Sequence, residues 1–469
     1  MWWSLLSCSF GVTPFVTCES GAACREAFGF GYTCGETGYC EVVELAERCD
    51  TVYPDDAFLR PEKYGTAHVL GSLFDHSTDI PEKLATRLAV RQVDESDGLD
   101  GDVFVLVQCS YEQDSSLDDL TNEEAGPAMG AYLADQLGAY AILGPATSGV
   151  TEATWTDVGP LGALIVSPSA TSPALTYLDQ PLTPDGHAGR LWRTAPPDSV
   201  QGQVLAQIVG EFVYTGGKQH VAVAYQEGPY GEGLAEVFID YYVTDSHTAD
   251  RKPFDDATSR DSAVAEVATG NYDAIVFISS DLPDVSAFLN GAAARDEFED
   301  MPIFLADAAK DQELLVQTAA ASDLWWNVWG TAPAVPSGDL YDSFAAAYQG
   351  EYGQSAGDSS YSAYAYDAAW LAIFGAAWSK VDLGEVSGQG AADGLLQISK
   401  AGVAAGDQVE ITPNSWSQVR AAFADGEAIN VLGASGELDY DPATEETTGP
   451  IDVWWIYDDG FETYETVQP

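Results

Sequence analysis

The sequence predicts an α/β protein of two lobes, each built around a parallel sheet, with one small cysteine-rich module ahead of both. Three observations predict it. Short apolar runs break abruptly into glycine and hydroxyl residues, as in AYAILGPATSGV and ALIVSPSATSPALT, which is how open α/β sheets build sites at their strand ends. Strand and helix patterns alternate in βαβ order and restart after RLWRTAPPDSVQGQ, as separate doubly wound units do. The chain has 469 residues and 46% hydrophobic content, enough to bury the cores of two or three domains.

Residues up to about 62 form the cysteine-rich leader and a linker, ending in TVYPDDAFLRPEK, which shows no apolar period. Ala67 to Leu73 then reads as a first strand, DIPEKLATRLAVRQVDES as a helix and DVFVLVQC as a second strand. The Ala139 to Leu143 run is stopped by Gly144 and Pro145, and Thr147 and Ser148 stand where a helix through Val158 begins. Leu164 to Val166 repeats the device, with Ser167, Ser169, Ala170 and Thr171 in a loop ahead of Pro173. Two such loops on adjacent parallel strands converge and offer hydroxyl and backbone N–H donors to a carboxylate or other small polar group. In the second series VLAQIVGEFVY, GEGLAEVFIDYY and DVSAFLNGAAARDEF read as helices, and HVAVAY, DAIVFIS and PIFLAD as strands. An Ala- and aromatic-rich helical block follows, and DVWWIYDDGFETYETV reads as terminal strands. Trp155, Trp192, Trp325 and Trp326 are either core or pocket residues, with core the simpler reading for each.

The net charge is −56, from 74 acidic and 18 basic residues spread along the whole length. That surface repels nucleic acid and anionic lipid. Cys18, Cys24, Cys34 and Cys40 are spaced like a disulfide-stapled module whose pairing the sequence leaves open, and they imply an oxidising compartment. A zinc site is the competing reading, but there is no CxxC pair and no histidine before His68. Cys49 and Cys109 are candidates to bridge the start of the fold to its sheet. Cys8 follows Leu5, Leu6 and Ser7 and resembles a bacterial lipobox cysteine, although only seven residues precede it, without a basic n-region. Membrane attachment is therefore expected only through a lipidated N-terminus, since no later run approaches about 18 uninterrupted apolar residues.

From about Ala67 onward the chain resembles the type I periplasmic solute-binding proteins of the leucine/isoleucine/valine (branched-chain amino acid) kind, and hence also some receptor ligand-binding regions. The resemblance rests on ILGPATSGVT, IVSPSATSPALT, LWRTAPPDSVQGQ, Tyr230 to Gly233, AYDAAW at Ala365 to Trp370 and GELDYDP at Gly436 to Pro442, in family order. It implies two Rossmann-like lobes joined by a three-crossover hinge, with 66–196 and 334–437 in lobe one and 197–333 and 438–469 in lobe two. It places the hinge near Pro196, Pro336 and Gly436. It also implies that Ser148, Ser169, Ala170 and Thr171 hold an amino acid's carboxylate and ammonium, and that Tyr230 reaches the ligand from lobe two. Asp307, or Asp311 if the register shifts, pairs with the ammonium, and Phe74 and His76 line the side-chain pocket.

The expected function is capture of a small polar ligand, most simply an amino acid, by closure of two lobes outside the cytoplasm, and its presentation to an ABC transporter permease. The alternative is a surface-anchored sensor or interaction protein with the same fold. No cofactor or metal is expected. An enzyme is disfavoured: the chain has five histidines and lacks HExxH, GxSxG, a Walker loop and GxGxxG.

Overall fold

A computed structural model describes residues 16–180, 186–212, 219–399 and 408–468. The first lobe holds a six-stranded sheet in the order Cys49–Tyr53, Phe104–Ser110, His68–Phe74, Ala141–Leu143, Leu164–Ser167 and Leu191–Arg193. All neighbours are parallel except Cys49–Tyr53, which runs antiparallel along Phe104–Ser110. Strand order reverses about His68–Phe74, so a crevice opens at the carboxyl ends of that strand and Ala141–Leu143. Both sheet faces are covered: Val69 and Leu73 join one apolar core, and Leu70 joins the other. Such strands need continuous apolar sequence and no alternation, which is why they read so plainly.

The second lobe holds seven strands in the order His247–Phe254, Gln219–Gln226, Ala274–Ile278, Ile303–Leu305, Val328–Pro333, Ile451–Tyr457 and Gly460–Val467. The last two form an antiparallel hairpin against the parallel set. The helices Ile80–Glu95, Ser148–Val158 and Ser362–Leu383 belong to the first lobe, and Asp198–Phe212 and Pro229–Tyr242 to the second. The Ser362–Leu383 helix is apolar almost all round because it is buried between Ile80–Glu95 and Gly388–Leu395. Its Trp370 packs near Trp416, whose indole N–H donates to the Gly98 carbonyl at 2.9 Å.

The chain passes between the sheets three times. The crossing segments touch one another: the Ala334 N–H donates to the Pro450 carbonyl at 2.9 Å, and the Tyr440 hydroxyl to the Arg193 carbonyl at 3.1 Å. Arg193 is buried and pairs with Glu446, so the first and third crossings are tied by charge as well as by backbone contact.

The cysteines pair as Cys18–Cys34, Cys24–Cys40 and Cys49–Cys109. The sulfurs of Cys18, Cys24 and Cys40 lie close together, but each is in a disulfide and is no thiolate ligand. Cys8 lies outside the described residues. The sequence reading starts the globular fold after residue 62, yet the first sheet already takes up Cys49–Tyr53. The cysteine-rich segment is likewise part of the lobe. Phe30 is buried in the core that contains Val69, Leu133 and Ile142, with its ring edge-on to Phe58. The Tyr132 hydroxyl donates to the Glu44 carbonyl at 2.8 Å and accepts from the Ala46 N–H at 3.2 Å. So short a disulfide-stapled segment cannot build a sufficient core of its own, so the module borrows the lobe's. Of the four tryptophans read as core, Trp192 and Trp325 are buried and Trp155 is half-buried. Trp326, however, is 57% exposed, because adjacent side chains of the 3-10 turn Ala319–Asn327 point about 120° apart.

A Phe30→Ala variant is expected to lower the stability of the whole first lobe by about 3–5 kcal/mol. Urea unfolding followed by tryptophan fluorescence checks this, and a transition unchanged from the parent would show the module to be energetically separate.

Candidate ligand cleft between the lobes

Each loop at the crevice is shaped by residues with little freedom to vary. Gly144 follows Ala141–Leu143 with φ +98°, and a Cβ there would lie 2.3 Å from the Leu73 carbonyl oxygen. The chain then turns at once into the Ser148–Val158 helix. In the second loop the Ser167 hydroxyl donates to the Pro145 carbonyl at 2.6 Å and accepts from the Ala170 N–H at 3.0 Å. Ser169 Oγ donates to the Ala146 carbonyl at 2.9 Å, and Ser148 Oγ accepts from the Ser172 N–H at 3.2 Å. The two loops are thus one hydrogen-bonded unit, with Ser148, Ala170 and Thr171 buried and Ser169 half-buried.

Arg193 fixes this unit from below. Its guanidinium donates to the carbonyls of Ala170 at 3.2 Å and Ser172 at 2.8 Å and to Thr176 Oγ1, besides pairing with Glu446. Burial pushes its pKa down to about 10, so it stays a cation at neutral pH.

From the second lobe, Gly231 sits so close to the Gln226 carbonyl that a Cβ would fall 2.0 Å from its oxygen. This draws the start of Pro229–Tyr242 inward, and the Ser172 hydroxyl donates to the Pro229 carbonyl across the lobes at 2.6 Å. Tyr230 then donates to Asp307 Oδ1 at 2.5 Å, joined by Gln201 Nε2 at 2.9 Å. Tyr361, at the start of the long helix of the first lobe, donates to Asp307 Oδ2 at 2.5 Å. Asp307 therefore receives donors from both lobes. Asp311 instead caps Gln312–Gln317, accepting from the Glu313 N–H at 2.7 Å. Beside this group lies a groove of about 530 Å³, bordered by Ser148, Glu152 and Glu123 from one lobe and Gln226, Glu227 and Tyr230 from the other.

The two residues assigned to the side-chain pocket stand apart from these contacts. Phe74 is completely buried in the sheet, beside Gly144. His76 Nδ1 lies 3.2 Å from Lys83 Nζ and 3.3 Å from Asp50, and burial, then the Lys83 charge, pushes its pKa down to about 4. Glu82 and Asp79 lie on the same rim. Glu82 accepts from Ser359, and Asp79 accepts from Tyr111 at 2.9 Å. Burial raises Glu82 to about 8 and Asp79 to about 6.

A profile of the receptor family ligand-binding region matches residues 81–378. The chain belongs to that family. This receptor-family chain is 27% identical over 385 residues to the chemotactic signal transduction system substrate-binding protein BasB of Halobacterium salinarum, covering 81% of this chain and 83% of that one. Its fold resembles the branched-chain amino acid transporter substrate-binding protein LivJ of Streptococcus pneumoniae in complex with isoleucine, with TM-score 0.64, 21% identity, and coverage of 86% of this chain and 100% of the other. It also resembles a solute-binding protein of an ABC transporter from R. palustris in complex with benzoate, with TM-score 0.60, 16% identity, and coverage of 86% and 97%. The two-lobed type I periplasmic binding fold expected from the motifs is thereby established.

Sequence reasoning missed Tyr361, Asp198, Gln201 and Arg193 as site residues. Three of them lie within RTAPPDSVQGQ, which carried the family resemblance but suggested no chemistry residue by residue. Tyr361 gave no signal at all among the many tyrosines of YSAYAYDAAW.

The raised carboxyl of Glu82 has a consequence for stability. Unfolded, the group ionises near 4.5, and folded it ionises near 8. Between those values the folded state holds the extra proton, so stability is full below about pH 4.5 and falls as pH rises toward 8. Glu82→Gln is expected to flatten that fall, by at most about 1.4 kcal/mol per pH unit, as read from urea midpoints at pH 5, 6, 7 and 8.

Proposed function

We propose that the protein captures an amino acid between its lobes outside the cytoplasm, as a substrate-binding protein, and breaks no bond. The observation that supports this reading is the juxtaposition of two opposite recognition chemistries. The Ser148 and Ser169–Thr171 loops offer hydroxyls and backbone amides to a carboxylate, and Asp307 with Tyr230 offers a buried acceptor to an ammonium. The first group sits on lobe one and the second on lobe two, so a zwitterion satisfied at both ends favours the closed form by the difference in its affinity for the two states. Tyr361, which reaches Asp307 from lobe one, orients that carboxylate only when the lobes are together.

In this reading the closed shape is the output, presented to an ABC transporter permease. Retention of a ligand-sensing role without transport is the second reading, and it is favoured by the likeness to a chemotactic binding protein. The three disulfides support an oxidising, extracytoplasmic setting. Among the described residues no helix is long and apolar enough to cross a membrane.

A thermal-shift screen against the common amino acids and small carboxylates tests the proposal. A few amino acids are expected to raise the melting temperature. Ser148→Ala is expected to weaken them about tenfold and Asp307→Asn about a hundredfold, since the first removes one neutral hydrogen bond and the second leaves an ammonium unpaired. Failure of every amino acid to bind a folded protein would refute it.

A further inference from the structure

The end of the second lobe away from the cleft carries an aromatic surface that its core takes up only in part. Trp329 is the second residue of Val328–Pro333, a strand that leads up to the second crossing, and Phe212 closes the Asp198–Phe212 helix, which starts at the first. Both pack against the core from its rim. Trp329 stacks on Trp455 at 5.3 Å between ring centres, and Trp455 stacks on Tyr457 at 5.0 Å. Tyr464 meets Trp329 and Phe212 edge-on at 5.4 and 5.3 Å. Tyr457 is 52% and Tyr464 54% exposed, and the other three rings are half-buried. Contiguous aromatic area left in water marks a contact surface.

The strand beside this surface has an open edge. Gly460–Val467 is the last of its sheet and pairs only with Ile451–Tyr457 among the described strands, and Glu462 to Thr466 are all exposed. Its outer N–H and C=O groups are therefore available to another strand. The pairing sets Glu462 opposite Trp455 and Glu465 opposite Val453. Residues directly opposed in a sheet share a face, so both carboxylates stand on the aromatic side. The hairpin turn adds the exposed Asp458 and Asp459. Residues 198–212, 319–333 and 451–468, which hold all of these groups, contain no lysine or arginine.

We propose that the free edge of Gly460–Val467 accepts an added β-strand from a partner protein, one whose arginine or lysine side chains, at alternate positions, face the Trp455 and Tyr464 rings. Rings set beside carboxylates suit a guanidinium or ammonium, which gains a cation–π contact and a charge-assisted hydrogen bond together. Backbone pairing supplies the affinity and the side chains the selectivity. Charge decides against a second copy of this chain, because edge-to-edge pairing would set the glutamates of the two copies against one another. A sugar needs open ring faces, whereas Trp329 and Trp455 turn theirs toward each other. The surface lies away from the cleft, so the inference does not depend on which ligand the cleft takes.

Fluorescence anisotropy of a labelled eight-residue peptide alternating arginine and threonine, titrated with the full chain, tests this. A second peptide with proline in place of each threonine keeps the charge but pairs poorly as a strand. The first peptide is expected to bind at least tenfold tighter than the second. Glu462→Lys with Glu465→Lys is expected to weaken it at least tenfold and Tyr464→Ala at least threefold, whereas Asp382→Lys with Glu385→Lys, exposed on the first lobe, changes it less than twofold. No binding, equal binding of the two peptides, or equal loss from both charge reversals overturns the inference. Sedimentation of the parent as a dimer that Tyr464→Ala dissociates assigns the surface to a second copy and overturns it as well. Should Tyr464→Ala fail to fold, the two peptides and the two charge reversals decide.

Discussion

A carboxylate buried between two bodies has to be answered by both, and Asp307 is the point on which this architecture turns. Two tyrosines and a glutamine donate to it, one tyrosine from the first lobe and the other two groups from the second. Separating the lobes strips one of those donors away and admits water in its place, so the closed geometry and the solvation of a single charge are the same variable. Around it the other parts are arranged in series. Arg193 holds the hydroxyl loop, Glu446 holds Arg193, and Glu446 belongs to the third crossing. The loop from Ser167 to Ser172 and the third crossing are therefore joined by one buried ion pair.

Burial sets the sign of the electrostatics throughout. A chain with so many acids would be expected to keep them in water, and most are there. Of the exceptions, Asp367, Glu445 and Asp452 are buried elsewhere, whereas Glu82, Asp198, Asp307 and the half-buried Asp79 follow the ends of sheet strands. Their hydroxyl partners, Tyr111, Ser359, Tyr230 and Tyr361, are neutral donors and supply no compensating charge. Asp367 differs, because its carboxylate accepts from the Ala434 and Ser435 N–H groups and the Ser435 hydroxyl.

Much of the fold was legible because it depends on patterns confined to a few neighbouring residues. The runs AILGP and LIVSPS fall where strands buried on both faces run out into loops, and their apolar continuity, stop residues and small hydroxyls are all local. The same is true of the two lobes, since βαβ order restarts visibly after Arg193. Contacts between distant segments were another matter. That Phe30 would lie in the core of a sheet whose first parallel strand begins nearly forty residues later has no local signature, and neither has the pairing of four similar cysteines. The site divides along the same line. Ser148 and Tyr230 sit at helix starts that the sequence announces, whereas Tyr361 meets Asp307 only through the long return of the chain to the first lobe.

The anchoring of the cysteine-rich segment has a mechanical corollary. From residue 16 to Tyr53 the chain is pinned to the first lobe by the Cys49–Cys109 bridge, by Phe30 and by Tyr132. The segment and the first lobe are therefore one mechanical body. If the lobes close on a ligand as proposed, the disulfide-stapled segment travels with the first lobe as one body, and its position relative to the second lobe reports the closure.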